Sequence, residues 1–143
     1  MTTGNKKYNN RKPKENSLTV EMGKVPPQAR ELEEAVLGAL MLEKDAYSQV
    51  SDILKPESFY DPIHQIVYRA VVTLAIQQEP VDILTVVEQL KKQGELDSVG
   101  GAIYITQLSE KVASSAHIEY HARIIAQKYL ARELIAFSSS ITN

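Results

Sequence analysis

Apolar residues recur along this chain at intervals of three and four, a spacing that predicts amphipathic α-helices. The clearest series follows Asp61-Pro62, where the aspartate can cap free backbone amides and the proline suits the first helical turn. We expect a long central core helix there, with an apolar stripe formed by Ile63, Ile66, Val67, Ala70, Val71 and Leu74. No alternation of period two persists, so the sequence predicts an all-α fold of about six helices.

Two shorter helices are predicted before the central one. The first spans about residues 28–42 after a proline entry, and Gly38 within it favours close packing against a neighbour. The second spans Ala46 to Leu54 and stops before Pro56, since proline disfavours a helical conformation at the preceding residue. Three further helices have recognisable start signals, namely Asp82, the Gly100-Gly101 pair, and Ser114 or Ser115.

The last predicted helix has apolar residues on two faces. One face carries Ile118, Ala122, Ile125 and Tyr129, and a rotated face carries Leu130, Leu134, Phe137 and Ile141 with Ile135 beside it. A single contact with the rest of the domain cannot bury both sets, so the distal part is expected to pack against another segment or another chain. No helix stop precedes Asn143, which we interpret as a boundary inside a helix.

Composition and charge divide the chain further. The 143 residues are 43% hydrophobic and 24% charged, as is usual for one globular domain. Residues 1–24 contain six basic and two acidic residues and form a polar leader that is expected to be disordered. Residues 25–143 contain ten basic and sixteen acidic residues, a poor balance for clamping duplex DNA. We therefore predict a helical head over 25–114, an arm over 115–143, and a cytoplasmic location, since no signal peptide or apolar span is present.

Motifs that would indicate catalysis are missing. The chain has no cysteine and no Gly-rich phosphate loop, because Gly23-Lys24 lacks the required spacing and hydroxyl residue. His117 and His121 have the spacing of zinc ligands on a helix, but Glu119 is misplaced for the base of a metalloprotease. We predict no catalytic residue, metal or cofactor in this chain. A small metal-dependent hydrolase using these three residues is kept as an alternative.

Short motifs occur in an order that resembles the N-terminal domain of bacterial replicative DNA helicases of the DnaB family. They are Leu32-Glu33-Glu34-Ala35-Val36-Leu37-Gly38, Phe59-Tyr60-Asp61-Pro62-Ile63-His64, Pro80-Val81-Asp82, Gly94-Glu95-Leu96, Val99-Gly100-Gly101 and Glu119-Tyr120. The resemblance runs from about Val25 to Ile141. His117, where the family usually has asparagine, is a departure.

The resemblance implies a helical head followed by an antiparallel helical hairpin whose first arm begins in the last helix. In such helicases heads and hairpins self-associate as dimers, and a trimer of dimers forms a collar on the hexamer. The collar recruits the C-terminal domain of primase, and a helicase loader would be a further partner. ATP and Mg²⁺ would bind in a separate C-terminal domain, and DNA would be engaged through the full-length protein.

Four residues are carried over as primase-facing or hairpin-pairing positions: Tyr104, Arg132, Ile135 and Ile141. Two of them have simpler explanations, since Tyr104 fits a core position at helical spacing and Arg132 could pair with nearby acids. An alternative function is a sequence-specific DNA-binding helical domain, with the last helix as recognition helix and the basic leader in a groove.

Overall fold

The computed structural model describes residues 25–112 and 117–142, and every regular element among them is helical. The α-helices are α1 (Arg30–Leu42), α2 (Ala46–Val50), α3 (Pro62–Ile76), α4 (Ile83–Lys92), α5 (Gly101–Glu110) and α6 (Ile118–Thr142). Two short 3₁₀ turns, Pro56–Ser58 and Asp97–Val99, lie between them. The prediction of an all-α fold with about six helices is confirmed.

Two of the predicted helix starts have the expected caps. At α3 the Asp61 carboxylate accepts a hydrogen bond from the backbone N–H of Ile63 at 2.9 Å, and Pro62 occupies the first turn. At α4 Asp82 and Thr85 cap each other reciprocally, at 2.8 and 2.9 Å. These local bonds satisfy amides that a helix end would otherwise leave without partners. They fix where both helices begin.

Helix α2 is shorter than predicted, because it ends at Val50 and continues only as turns to Leu54. Lys55, which precedes Pro56, is extended with φ −126° and ψ 165°, as the proline ring requires. Helix α5 begins after Gly100, whose φ of 100° lies in the left-handed region that glycine tolerates best. The predicted cap of the last helix, Ser114 or Ser115, lies outside the described residues, as do the leader and the 114/115 domain boundary.

The core is built around the central helix α3. Tyr68 is fully buried, and its ring lies 5.0 Å from that of Phe59, measured between centroids. Gly38 lies where α1 crosses α5, and a Cβ atom there would overlap the backbone oxygen of Leu108. The prediction that Gly38 permits close packing is therefore confirmed. No helix of the described part is long and apolar enough to cross a membrane.

Candidate assembly arm and the network that positions it

Helix α6 is half core element and half projecting arm. Its first turns are buried against the head, with Ile118, Ala122 and Ile125 all almost inaccessible to solvent. These side chains pack beside α1, α2 and the Pro56–Ser58 turn. Beyond Tyr129 the large apolar side chains are mostly exposed, so the second half of the helix runs past the surface that the head can cover. We call residues 130–142 the distal arm.

An apolar stripe follows the distal arm. It consists of Leu130, Leu134, Phe137 and Ile141, whose exposed fractions are between 57% and 67%. Helices α1, α3, α4 and α5 each contribute only one large apolar residue of comparable exposure. The intervals of four, three and four are those of a helix–helix pairing seam. The stripe is exposed because it is rotated by roughly 120° from the buried face of α6 at 3.6 residues per turn. The prediction of two apolar faces on this helix is confirmed.

Arg132 fixes the base of the distal arm to the head. Its guanidinium donates to the backbone oxygen of Pro27 at 2.8 Å and to that of Ser58 at 3.0 Å. The same group lies over the rings of Tyr60 and Tyr129, 5.4 and 5.7 Å from the centroids. We call these contacts the Arg132 clasp. The clasp joins the entry segment, the 3₁₀ turn and the arm, so Arg132 is directed into its own chain, and it forms no ion pair with an acid among the described residues.

The other predicted interface residues lie in different surroundings. Ile141 is on the exposed stripe. Ile135 is partly buried and lines a small groove of about 210 Å³ with Pro26, Pro27 and Ala136. Tyr104 lies on α5 and is partly buried in the head. The structure therefore places two of the four residues, Arg132 and Tyr104, in intramolecular contacts. Their role toward a partner stays a prediction.

A buried polar network links three helices inside the head. The Glu33 carboxylate is 1% exposed and accepts hydrogen bonds from the backbone N–H groups of Tyr60 at 2.8 Å and Asp61 at 3.3 Å. His64, fully buried, has its Nδ1 2.8 Å from Glu33 and its Nε2 2.7 Å from the hydroxyl of Tyr104. We call Glu33, His64 and Tyr104 the polar triad. A carboxylate can only accept, so Nδ1 of His64 donates to Glu33, while Nε2 and the Tyr104 hydroxyl share the second hydrogen bond.

The environment keeps the hydroxyl of Tyr104 protonated. Burial raises the pKa of this side chain, and the nearby carboxylates of Glu34 and Asp61 raise it further. The ring also stacks on the imidazole of His64, with 6.2 Å between centroids and an interplanar angle of 7°. A hydroxyl with a raised pKa remains a hydrogen-bond donor at neutral pH but is a poor nucleophile. The triad therefore serves to hold α1, α3 and α5 together.

The triad is connected to the arm through one loop. Glu33 binds the backbone of Tyr60, and the ring of Tyr60 lies under the Arg132 guanidinium. The residues between the 3₁₀ turn and α3 thus contact the polar triad on one side and the Arg132 clasp on the other. Sequence reasoning missed the triad, although one signal existed. His64 lies three, four and seven residues before Val67, Tyr68 and Val71, which is the spacing of a core position.

His117, which immediately precedes α6, and His121 within it belong to no possible metal cluster among the described residues. The rings of His117 and His121 are 6.4 Å apart between centroids, and Glu119 forms an ion pair with Arg123 at 2.8 Å. Within residues 25–112 and 117–142 no group of three or more histidine, aspartate or glutamate residues is arranged to hold a metal ion. The hydrolase alternative gains no third ligand from the described part of the chain.

The described residues form a helical head and an arm with an exposed apolar stripe, which defines the class of this protein as an all-α module. Comparison with known sequences gives the family. The model described as "DnaB-like helicase N terminal domain" matches residues 25–127. The chain belongs to this family.

Relatives in the family are replicative helicases. The replicative DNA helicase DnaB of Rhodothermus marinus is 52% identical over 116 residues, which cover 81% of this chain and 12% of that protein. The DnaB protein of Geobacillus stearothermophilus is 41% identical over 118 residues, which cover 82% of this chain and 26% of that protein. The matched part of the chain therefore spans 12% and 26% of the length of these two relatives.

Solved structures show the same fold. The crystal structure of the N-terminal domain of DnaB helicase from Mycobacterium tuberculosis has a TM-score of 0.79 and 39% sequence identity, and the match covers 82% of this chain and 85% of that one. A DnaB-like replicative helicase, solved in a study of its interactions with primase, has a TM-score of 0.71 at 24% identity. That match covers 80% of this chain and 27% of the other, and it supports the fold alone.

Proposed function

We propose that this chain is the assembly and recruitment module of an ATP-dependent replicative DNA helicase. It pairs arms to build the collar of a hexamer as a trimer of dimers, and the collar recruits the C-terminal domain of primase. ATP and Mg²⁺ are used elsewhere in the full-length protein. The curated relatives, all replicative helicases by name, support this function, and so does the match to a helicase studied with primase.

The exposed apolar stripe on the distal arm is the observation that carries this proposal. Leu130, Leu134, Phe137 and Ile141 lie along one side of a continuous helix that ends beyond the head. A seam with this spacing is covered in water by a second helix, since burying each large apolar side chain contributes about 1.5 to 3 kcal/mol. The family hairpin supplies such a helix, and pairing between hairpins of two subunits extends the contact.

The charges of α6 favour a protein partner over DNA. Two of the three basic residues on this helix are engaged within the chain, since Arg132 donates to two backbone oxygens and Arg123 is paired with Glu119. The third is Lys128. A recognition helix needs such side chains directed toward bases and phosphates. The apolar stripe has no counterpart in a duplex groove. Partner binding along the arm is therefore the better explanation of this surface.

Multi-angle light scattering tests the proposal directly. The mass of the protein is measured alone and with the C-terminal domain of its cognate primase, first for the native chain and then for Leu134→Ala. The matched control is Leu84→Ala, because Leu84 on α4 is similarly exposed but lies outside the arm. We expect a self-associating protein that gains the mass of primase, with one or both reactions weakened by Leu134→Ala and neither by Leu84→Ala.

The expected weakening follows from symmetry. In a two-fold pairing each substitution removes contacts twice, so about 1 kcal/mol per copy lowers the association constant roughly thirtyfold. A native chain that is monomeric at all concentrations and ignores primase would contradict the proposal. Equal behaviour of the Leu134→Ala and Leu84→Ala variants would show that the stripe is not the pairing surface.

A further inference from the structure

A groove of about 600 Å³ lies at the end of the head where α1 and α3 both terminate. It is bordered by the α1–α2 connection on one side and by the α3–α4 connection on the other. Leu42, Tyr47 and Val81 contribute apolar surface to its lining. The groove is separate from the distal arm, the Arg132 clasp and the polar triad, so the proposed function does not account for it.

The charges around this groove are mainly negative. Its lining contains three acidic residues, Asp45, Glu79 and Asp82, and one basic residue, Lys44. In addition, neither α1 nor α3 has a basic residue in its last turn. The carbonyl ends of both helices therefore add their partial negative charge without a compensating cation in the last turn of either helix. An apolar floor with a negative rim suits a basic peptide that also carries an apolar or aromatic side chain.

The chain itself contains such a peptide. Residues 6–14 hold five bases, namely Lys6, Lys7, Arg11, Lys12 and Lys14, together with Tyr8 and no acid. The segment can also reach the groove. Helix α1 covers about 20 Å between the entry segment and the groove at 1.5 Å per residue. The eleven Cα-to-Cα steps from Lys14 to Val25 can span up to about 36 Å.

We propose that residues 6–14 dock in the groove between the ends of α1 and α3 of their own chain. The lysine and arginine side chains meet the Asp45, Glu79 and Asp82 carboxylates and the helix ends, and the ring of Tyr8 covers apolar surface near Tyr47. The groove carboxylates are exposed, so the attraction is screened by water and weakened by salt. Docking of the leader in this groove shields the acidic face of the head on the side away from the clasp.

Paramagnetic relaxation enhancement on the full chain tests this docking. Because the protein has no cysteine, Asn10→Cys accepts a single nitroxide label without further changes. The expected result is loss of amide signal for residues 41–48 and 75–82 at about 0.05 M salt, with recovery at about 1 M, where the Debye length is about 3 Å. Mixing labelled protein with isotope-labelled, spin-free protein shows whether the contact is within one chain.

A charge variant and a matched control complete the test. Asp45→Asn with Glu79→Gln should abolish the loss, whereas Glu57→Gln with Glu110→Gln removes two exposed acids outside the groove and should retain it. Asp82 is left unchanged because it caps α4. Uniform or absent signal loss, insensitivity to the groove variant, or a comparable loss for the same residues in the mixed sample would overturn the proposal. None of these outcomes bears on arm pairing or primase binding.

Discussion

Glu33 and Glu34 are adjacent in sequence, but the structure predicts very different effects when each is replaced by alanine. Glu33 is buried and accepts hydrogen bonds from two backbone amides and from His64. Glu34 is partly exposed, and its ion pairs with Arg30 and Lys111 are long, at 3.9 and 3.8 Å. Glu33→Ala therefore tests the polar triad, and Glu34→Ala is its matched control.

The magnitude follows from the bonds that each variant removes. Glu33→Ala leaves Tyr60 N–H, Asp61 N–H and the imidazole of His64 without an acceptor, and one of the three lost bonds is already long at 3.3 Å. A buried donor left unpaired costs about 1 to 3 kcal/mol, so the free energy of unfolding should fall by roughly 3 to 5 kcal/mol. Glu34→Ala should cost less than about 1 kcal/mol.

Urea and thermal unfolding followed by far-UV circular dichroism measure both variants. Protein concentration is held constant, because self-association would add to the apparent stability. At about 4 °C per kcal/mol for a domain of this size, Glu33→Ala should lower Tm by roughly 12 to 20 °C. Tyr104→Phe removes only the hydroxyl bound to His64, so its loss of stability should lie between those of Glu33→Ala and Glu34→Ala. The reasoning is refuted if Glu33→Ala and Glu34→Ala unfold within about 1 kcal/mol of each other.

Three further predictions follow from contacts in the head and at the base of the arm. Gly38→Ala should lower the free energy of unfolding by about 1 to 3 kcal/mol in urea, because its methyl group meets the backbone of Leu108. Burial raises the pKa of Tyr68, with Tyr47 as a lesser cause, so the folded state keeps a proton that the unfolded chain loses above about pH 10. The contribution of Tyr68 to the free energy of unfolding should be fully present below that pH and should be lost as the pH rises above it. In urea titrations at about pH 9 and 11, the Tyr68→Phe variant should lose less stability between the two pH values than the native chain. Arg132→Lys cannot hold two carbonyl oxygens with a planar fork, so hydrogen exchange should speed up in the distal arm and remain unchanged in α3.

The leading features of the fold could be predicted from local sequence. Asp61-Pro62 and Asp82 mark helix starts because the capping partners lie within three residues, and Gly38 marks a close approach because no other residue is as small. The uncovered face of α6 was also predictable, since its angular position depends only on helical periodicity. The end of α2 was misplaced by a few residues. The turns after Val50 have the same apolar pattern as a helix, so the pattern does not show that the helix ends there. Pro56 does not show it either, because proline restricts only the residue directly before it.

The roles of Arg132 and the polar triad were decided by the tertiary structure. Arg132 acts on carbonyl oxygens 74 and 105 residues away, and His64 joins partners 31 and 40 residues away. The periodicity of the sequence does not reveal these contacts, because contacts between distant segments depend on how helices cross and not on the spacing within one of them. Sequence alone therefore determined the helices and the exposed stripe of this protein. Only the packed head determined which polar side chains hold the arm in place.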